Sequence, residues 1–274
     1  MYPNELFNIF GLSIDLYTIC FLVGIIACFI YTRIAMRKCG YSVSATDMIL
    51  IIGVFAILFG ILSASLFQGV YNLIAGKGFV LEGMTFIGGL IGGVISFLGI
   101  YFLYAYAINP HLKQSNLFKS DMNKGVWFLV RIAPASITIA HAFGRLGCMF
   151  AGCCHGHVTN EWYGIYNAHL HAKTVPIQLM EAVFLFVLSA VLIVLLLKFK
   201  SKDTMAIYLV SYGIWRFVIE FFRDDYRGSF IPGLSPSQFW SIIMVVGGIA
   251  FFFIYRYLDY RFEKKQLENQ KDAA

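Results

Sequence analysis

Tyr212-Gly-Ile-Trp-Arg216-Phe-Val-Ile-Glu220-Phe-Phe-Arg223 decides how this chain is read. The segment belongs to an apolar run long enough to cross a bilayer. Yet Tyr212, Arg216, Glu220 and Arg223 stand at i, i+4, i+8 and i+11. On an α-helix those positions form one polar stripe. A charged side chain in hydrocarbon costs several kcal/mol, so such residues mark function by default. The stripe points to an anionic group handled inside or at the edge of a membrane.

The composition around it agrees. Of 274 residues, 59% are hydrophobic and only 13% charged, against roughly 25% charged in soluble domains. Mean hydropathy is +0.74. Apolar stretches run near 12–32, 47–72, 85–108, 126–143, 175–197, 204–222 and 236–255. A spanning helix needs about 17–25 residues. Residues 126–143 only just reach that length and contain Arg131. No basic region precedes the first stretch, so it does not read as a cleavable signal peptide. The expected fold is all-α and polytopic, with seven transmembrane helices.

Basic residues set the orientation. Arg33, Arg37, Lys38, Lys113, Lys119, Lys124, Lys198, Lys200, Lys202, Arg256, Arg261, Lys264, Lys265 and Lys271 fall on one side. Lys77, Arg145, Lys173, Arg223 and Arg227 fall on the other. This alternation predicts an N-terminus outside and a C-terminus in the cytoplasm. Residues 1–258 are expected to form one transmembrane domain with an extracytoplasmic segment at 144–174. Residues 259–274 read as a polar cytoplasmic tail. No internal repeat is visible. Ser44 with Asp47 reads as a capping box opening the second span.

Two constellations carry chemistry. The first is His141-Ala-Phe-Gly-Arg145-Leu-Gly-Cys148-Met-Phe-Ala-Gly152-Cys153-Cys154-His155-Gly156-His157. His141 and Arg145 share a helix face. An arginine at an interface often merely snorkels. Here glycines surround it, and arginine beside exposed backbone amides suits a phosphate. Cys148, Cys153 and Cys154 with His155 and His157 match no standard zinc spacing. A disulfide, a bound metal or neither remains open at this level. The second constellation is the stripe itself, where Arg216 and Glu220 either neutralise one another or leave surplus positive charge for a ligand. Gln178 and Glu181, three apart, add polar groups at the mouth of the fifth span. Tyr17 and Gln238 are lone polar groups. Gly88/Gly92 and Gly89/Gly93 suit close helix packing or the approach of a lipid headgroup to bare backbone.

In order along residues 10–255, these pieces together resemble the prolipoprotein diacylglyceryl transferase family. The pieces are Tyr17, Gly83-Met-Thr-Phe-Ile-Gly-Gly-Leu-Ile-Gly92, Ala133-Pro134, Gly144-Arg145-Leu-Gly147, Pro176-Ile-Gln-Leu-Met-Glu181 and the 212–223 stripe, the most specific of them. The resemblance implies seven transmembrane helices in a bacterial cytoplasmic (inner) membrane. It implies transfer of diacylglycerol from phosphatidylglycerol to the thiol of a lipobox cysteine in a preprolipoprotein. Phosphatidylglycerol, preprolipoprotein signal peptides and the lipid bilayer are then the partners. No cofactor, metal or nucleic acid is expected. Arg145 and Arg216 match the family's two essential arginines. Tyr17, Gly88, Gly89, Gly156, Tyr212 and Glu220 match other functional positions, with Arg223 beside them.

The departures matter. After Gly-Arg-x-Gly the family continues Asn-Phe-x-Asn-Gly-Glu; here Cys148-Met-Phe-Ala151-Gly-Cys153 stands instead. The family's His or Tyr before Gly-Gly-Leu is Ile87, and an arginine usual in the second span is replaced by Ile61-Leu62. A thiol-activating base must come from elsewhere, with His141 and His155 as candidates. The expected catalytic set is Arg145, Arg216 and His141. The alternative is a membrane metal- or redox-handling protein built on Cys148, Cys153, Cys154, His155 and His157.

Overall fold

A helix that crosses lipid must satisfy its backbone internally and turn apolar side chains outward. The computed structural model does both, over residues 5–9, 12–74, 76, 78–81, 83, 85–111, 127–223 and 233–272. Among the described residues the chain forms β1 (Glu5–Ile9), β2 (Leu12–Asp15), α1 (Leu16–Lys38), α2 (Val43–Ile74), α3 (Phe86–Phe102), α4 (Trp127–Ala151), β3 (Ile165–Asn167), β4 (Ala172–Thr174), α5 (Ile177–Leu197), α6 (Thr204–Ile219) and α7 (Pro236–Asp272). The fold is that of an all-α polytopic membrane protein. Its two strand pairs are short antiparallel hairpins, β1 with β2 and β3 with β4.

Among the described residues six helices are long and apolar enough to span: α1, α2, α3 with its continuation to Ile108, α5, α6 with its continuation to Phe222, and α7. The expected fourth span falls on α4, a helix that is not among those six and whose charged residues include Arg131 and Arg145. Burial is inverted relative to a soluble domain. Ile26, Ile95 and Phe253 lie more than half exposed, while Gln178, Glu181 and Arg216 are buried. Apolar side chains on the outside and ionised ones within are what lipid as solvent demands.

Two compact units divide the chain: residues 1–31 with 129–274, and residues 32–128. In the smaller unit, α3 lies against α2 along its glycines. A Cβ on Gly88 would come 2.5 Å from Phe67 Cβ, and one on Gly92 would come 2.2 Å from Ser63 Cβ. Ser63 Oγ donates to Gly88 O at 2.9 Å. Gly89 and Gly93 meet Ala64, Gly60 and the Ala56 carbonyl. Both glycine pairs thus act as close-packing positions.

One cap differs from expectation. The hydroxyl of Ser42, not Ser44, receives the Ala45 N–H at 3.3 Å, because α2 begins at Val43. Asp47 instead pairs with Arg33 at 2.5 Å. The 33–46 segment is also mostly helical, since α1 runs on to Lys38.

In the larger unit, α4 contains Pro134. Proline has no N–H to donate to the carbonyl four residues earlier. The Thr204 hydroxyl takes up part of that deficit, lying 3.5 Å from Val130 O and donating to Arg131 O at 2.8 Å. Arg131 itself donates to Tyr255 OH at 3.0 Å. Val175, Ile177 and Ile219 form a buried cluster with Trp215 against it, and Trp215 stacks on Phe184 at 4.4 Å. This cluster ties the start of α5 to the end of α6. The polar tail continues α7 as helix to Asp272.

Two expectations follow. Gly92→Ala should destabilise the protein by about 1–3 kcal/mol through overpacking, read as a lower unfolding temperature in detergent. Gly99→Ala on the same helix should change little, because its Cβ would meet nothing within 4 Å. At the head of α1, Asp15 Oδ1 accepts the Thr18 N–H at 2.8 Å and the Thr18 hydroxyl at 2.7 Å. These bonds hold the Asp15 carboxyl below the usual carboxylate range. The cap is therefore complete at neutral pH and is lost as pH falls through the depressed folded value. The protection of the Thr18 amide, its exchange measured against that of an unstructured peptide at the same pH, should fall on acidification, and Asp15→Asn should abolish that pH dependence.

Candidate functional site

Glu181 sits in the second turn of α5 and is almost wholly buried. An isolated carboxylate could not remain charged there. Three side chains gather on it. Arg145 Nε lies 3.0 Å from Glu181 Oε2. Tyr212 donates its hydroxyl to Oε1 at 2.8 Å. His141 Nε2 stands 3.9 Å from Oε1. The shared face of α4 is confirmed, since Arg145 Nε reaches His141 Nε2 at 3.4 Å. In that contact the arginine is the donor, so His141 Nε2 offers its lone pair. The His141 and Tyr212 rings meet edge to face at 5.1 Å, and Tyr208 stacks on Tyr212.

A second ionic group lies along α6. Arg216 Nη2 is 2.8 Å from Glu220 Oε2 and donates to Ser237 Oγ at 2.7 Å. Ser235 donates its hydroxyl to Glu220 Oε1 at 2.8 Å. Arg223 Nε approaches Glu220 at 3.8 Å. Arg216 Nη1 is buried and has no hydrogen-bond partner among the described residues. Leaving such a donor unpaired costs about 1–3 kcal/mol. Across the two groups, three arginines face two carboxylates among the described residues.

The stripe of residues 212–223 therefore divides. α6 ends at Ile219; Glu220–Phe222 form a 3-10 turn and Arg223 is extended, with φ −85° and ψ 151°. Tyr212 turns to Glu181, while Arg216, Glu220 and Arg223 gather beside the start of α7. Ser235 and Ser237 were missed in the sequence, although a signal was present. Ser235-Pro236-Ser237-Gln238 is a capping box with proline at the first helical position. Gln238 N donates to Ser235 Oγ at 3.2 Å, and Ser235 N to Gln238 Oε1 at 3.0 Å. Gln238 is thus structural.

The segment after α4 frames the same region. Gly156 pairs its backbone with Arg223 in an antiparallel bridge. A Cβ there would stand 2.6 Å from Phe222 O and 2.8 Å from Val175 Cβ. Gly156 is therefore a close-approach position between two strands of backbone. Tyr17 covers Gly147, whose Cβ would lie 2.9 Å from the Tyr17 ring. Cys148, Cys153 and Cys154 bring their Sγ atoms within 4.8 Å of one another, and no disulfide joins any of the six cysteines. Hydrogen bonds from Cys148 and Cys153 hold the Cys154 thiol below its usual range against the opposing effect of burial, with Arg223 and Arg145 adding to them. His155 Nδ1 lies 2.9 Å from Gly156 O. Gly88 and Gly89 belong to the smaller unit and are occupied in packing against α2.

The family profile described as Prolipoprotein diacylglyceryl transferase matches residues 4–254. A phosphatidylglycerol–prolipoprotein diacylglyceryl transferase of Clostridium tetani is 31% identical, over 92% of this chain and 97% of that protein. One of Dehalococcoides mccartyi is 30% identical, over 97% of this chain and 96% of its own length. Transferase 2 of Clostridium perfringens is 37% identical over 47% of this chain and 54% of that protein. None of these three is named for metal or redox handling. With a match spanning almost its whole length and the two ionic groups in place, the chain belongs to the prolipoprotein diacylglyceryl transferase family.

Proposed function

We propose that this protein transfers a diacylglyceryl group from phosphatidylglycerol to the thiol of a lipobox cysteine in a preprolipoprotein. The family supports the transferase reading. The observation that carries it to the site is Arg216, buried, ion-paired on one nitrogen and, among the described residues, unpaired on another. The acceptor sulfur attacks the glyceryl carbon bonded to phosphate. That carbon–oxygen bond breaks, and glycerol phosphate departs with the electron pair. Charge grows on the phosphate oxygens, where preorganised donors give most. Arg145 and Arg216 supply those donors. Glu181 and Glu220 orient them, and Tyr212 helps fix Glu181.

His141 is the proposed base. Its Nε2 lone pair is engaged by Arg145 until that arginine turns to the phosphate, so lipid binding frees the base. Tyr17, Gly156 and Arg223 border the same region and are assigned to substrate. The roles of Gly88 and Gly89 rest on the resemblance alone. The topology that fits is seven spans, N-terminus outside and C-terminus inside, in a bacterial cytoplasmic membrane. The acceptor would present its signal peptide on the outer side.

Arg216→Ala should lower transfer by at least about 100-fold while the protein still inserts. Complementation of a transferase-deficient cell, read as the mass shift of a reporter lipoprotein, measures this. Normal modification by a well-expressed variant would refute the assignment. Glu181→Gln keeps the size of the side chain but strands Arg145 without its counter-charge. Breaking a buried pair on one side costs about 3–5 kcal/mol, so this variant should both unfold earlier in detergent and lose transfer.

A further inference from the structure

Among the described residues, Cys148, Cys153 and Cys154 form the one group of three or more Cys, His, Asp or Glu side chains whose ligand atoms converge as a metal site requires. They come from two different elements. Cys148 lies in the last turn of α4; Cys153 and Cys154 lie just past its end. Their convergence is built rather than incidental. Three successive carbonyls of the turn are each held by a side chain from further along the chain. His169 Nε2 lies 3.1 Å from Ala151 O. Asn167 Nδ2 donates to Gly152 O at 3.0 Å. Gln178 Nε2 donates to Cys153 O at 2.5 Å. Asn167 and Gln178 are fully buried, so two buried amides are committed to fixing one surface turn.

The backbone of the turn is also unusual. Gly152 has φ +73° and Cys154 φ +59°. A cysteine in the left-handed region is disfavoured, and such strain persists where surrounding contacts over-determine it. Here the outcome is that Cys154 turns its sulfur back towards Cys148 and Cys153. The three thiols hydrogen-bond to one another, and Cys153 Sγ also donates to Cys148 O at 3.7 Å; weak bonds of this kind do not require three thiols on one turn, of which Cys153 is exposed.

A disulfide fits the arrangement less well. Adjacent Cα atoms are about 3.8 Å apart, below the usual disulfide range of about 4.4–6.8 Å. That disfavours Cys153–Cys154. Any pairing with Cys148 would use two sulfurs and leave the third placed for no purpose. A metal uses all three. Tetrahedral metal–sulfur bonds of about 2.3 Å put sulfurs about 3.8 Å apart. Sulfurs already within 4.8 Å need to contract by about an ångström. Three thiolates around a divalent ion leave one net negative charge, which suits the nearby Arg145 and Arg223.

We propose that Cys148, Cys153 and Cys154 bind one thiophilic d10 cation, Zn2+ or Cu+. Thiolate ligands select these ions over hard cations. Binding releases the thiol protons to solvent and forms three metal–sulfur bonds, with no redox change. Three protein ligands leave a fourth zinc position open to water; Cu+ is satisfied by three. Bound metal staples the end of α4, which carries Arg145, to the turn that leads to Gly156. The site does not rest on the transferase reading.

The test uses full-length protein in detergent, purified anaerobically and stripped with a chelator. Titration with Co2+ as a stand-in for Zn2+ should give a sulfur-to-cobalt charge-transfer band saturating at one ion per chain, and excess Zn2+ should abolish it. Titration with Cu+ against a chromophoric competitor tells the two ions apart. Cys153→Ser, a substitution at an exposed position, should weaken binding at least about tenfold and reduce the band. The triple Cys→Ser variant should bind nothing. Absence of a charge-transfer band together with no Cu+ withdrawn from the competitor would overturn the proposal. So would binding that survives in the triple variant, or a freshly purified chain lighter by two hydrogens and therefore carrying a disulfide.

Discussion

The ion pair between Glu181 and Arg145 is the contact on which the site's geometry depends. Arg145 Nε stands 3.0 Å from a carboxylate that is 2% exposed. Each charge would be unstable there without the other, because desolvation is large and only a close partner offsets it. Glu181 also accepts the Tyr212 hydroxyl, so it joins α4, α5 and α6 at one point. The second pair, Arg216 with Glu220, repeats the device one turn further along α6. Each arginine is held by a carboxylate on one side, and Arg216 keeps a buried donor that is unpaired among the described residues. Fully paired guanidinium groups would be inert supports; those with a spare donor can grip a phosphate.

Backbone packing brings these groups to their places. The Val175–Ile177–Ile219 cluster joins the start of α5 to the end of α6, which fixes Glu181 relative to Arg216. The capping box at Ser235 starts α7 so that Ser235 and Ser237 meet Glu220 and Arg216. Gly156 lets the chain after α4 pass against Arg223 where no side chain would fit. In the smaller unit glycines play the other role open to them, seating α3 on α2.

Much of this was legible in the sequence. Apolar runs of spanning length located the start of each long helix to within about four residues, because lipid imposes length and outward hydrophobicity at once, while α1, α4 and α7 run on past the apolar stretch to Lys38, Ala151 and Asp272. The i, i+4 pair of His141 and Arg145 predicted a shared face, and the stripe identified Arg216 and Glu220 as partners. What failed was local. The stripe assumed an unbroken helix, but α6 ends at Ile219, and chain termination is poorly encoded when aromatic residues continue the apolar run. Glu181 was read as a polar group at a helix mouth. Its role as a hub needs α4 and α6 to converge on it, which is tertiary information. The capping of α2 by Ser42 rather than Ser44 is an error of two residues at an element boundary. The cysteines were ambiguous because their ligand geometry depends on the left-handed backbone at Cys154, which spacing alone does not reveal.

The central claim is that Arg145 and Arg216, held by separate carboxylates, act together on one phosphate. A double-mutant cycle on phosphatidylglycerol binding addresses it most directly, with affinity measured for the unmodified protein, Arg145→Gln, Arg216→Gln and the double variant. Groups that share a ligand couple, by about 0.5–3 kcal/mol. The account predicts that the second substitution costs much less once the first is made. Losses that add independently, to within about 0.3 kcal/mol, would contradict it.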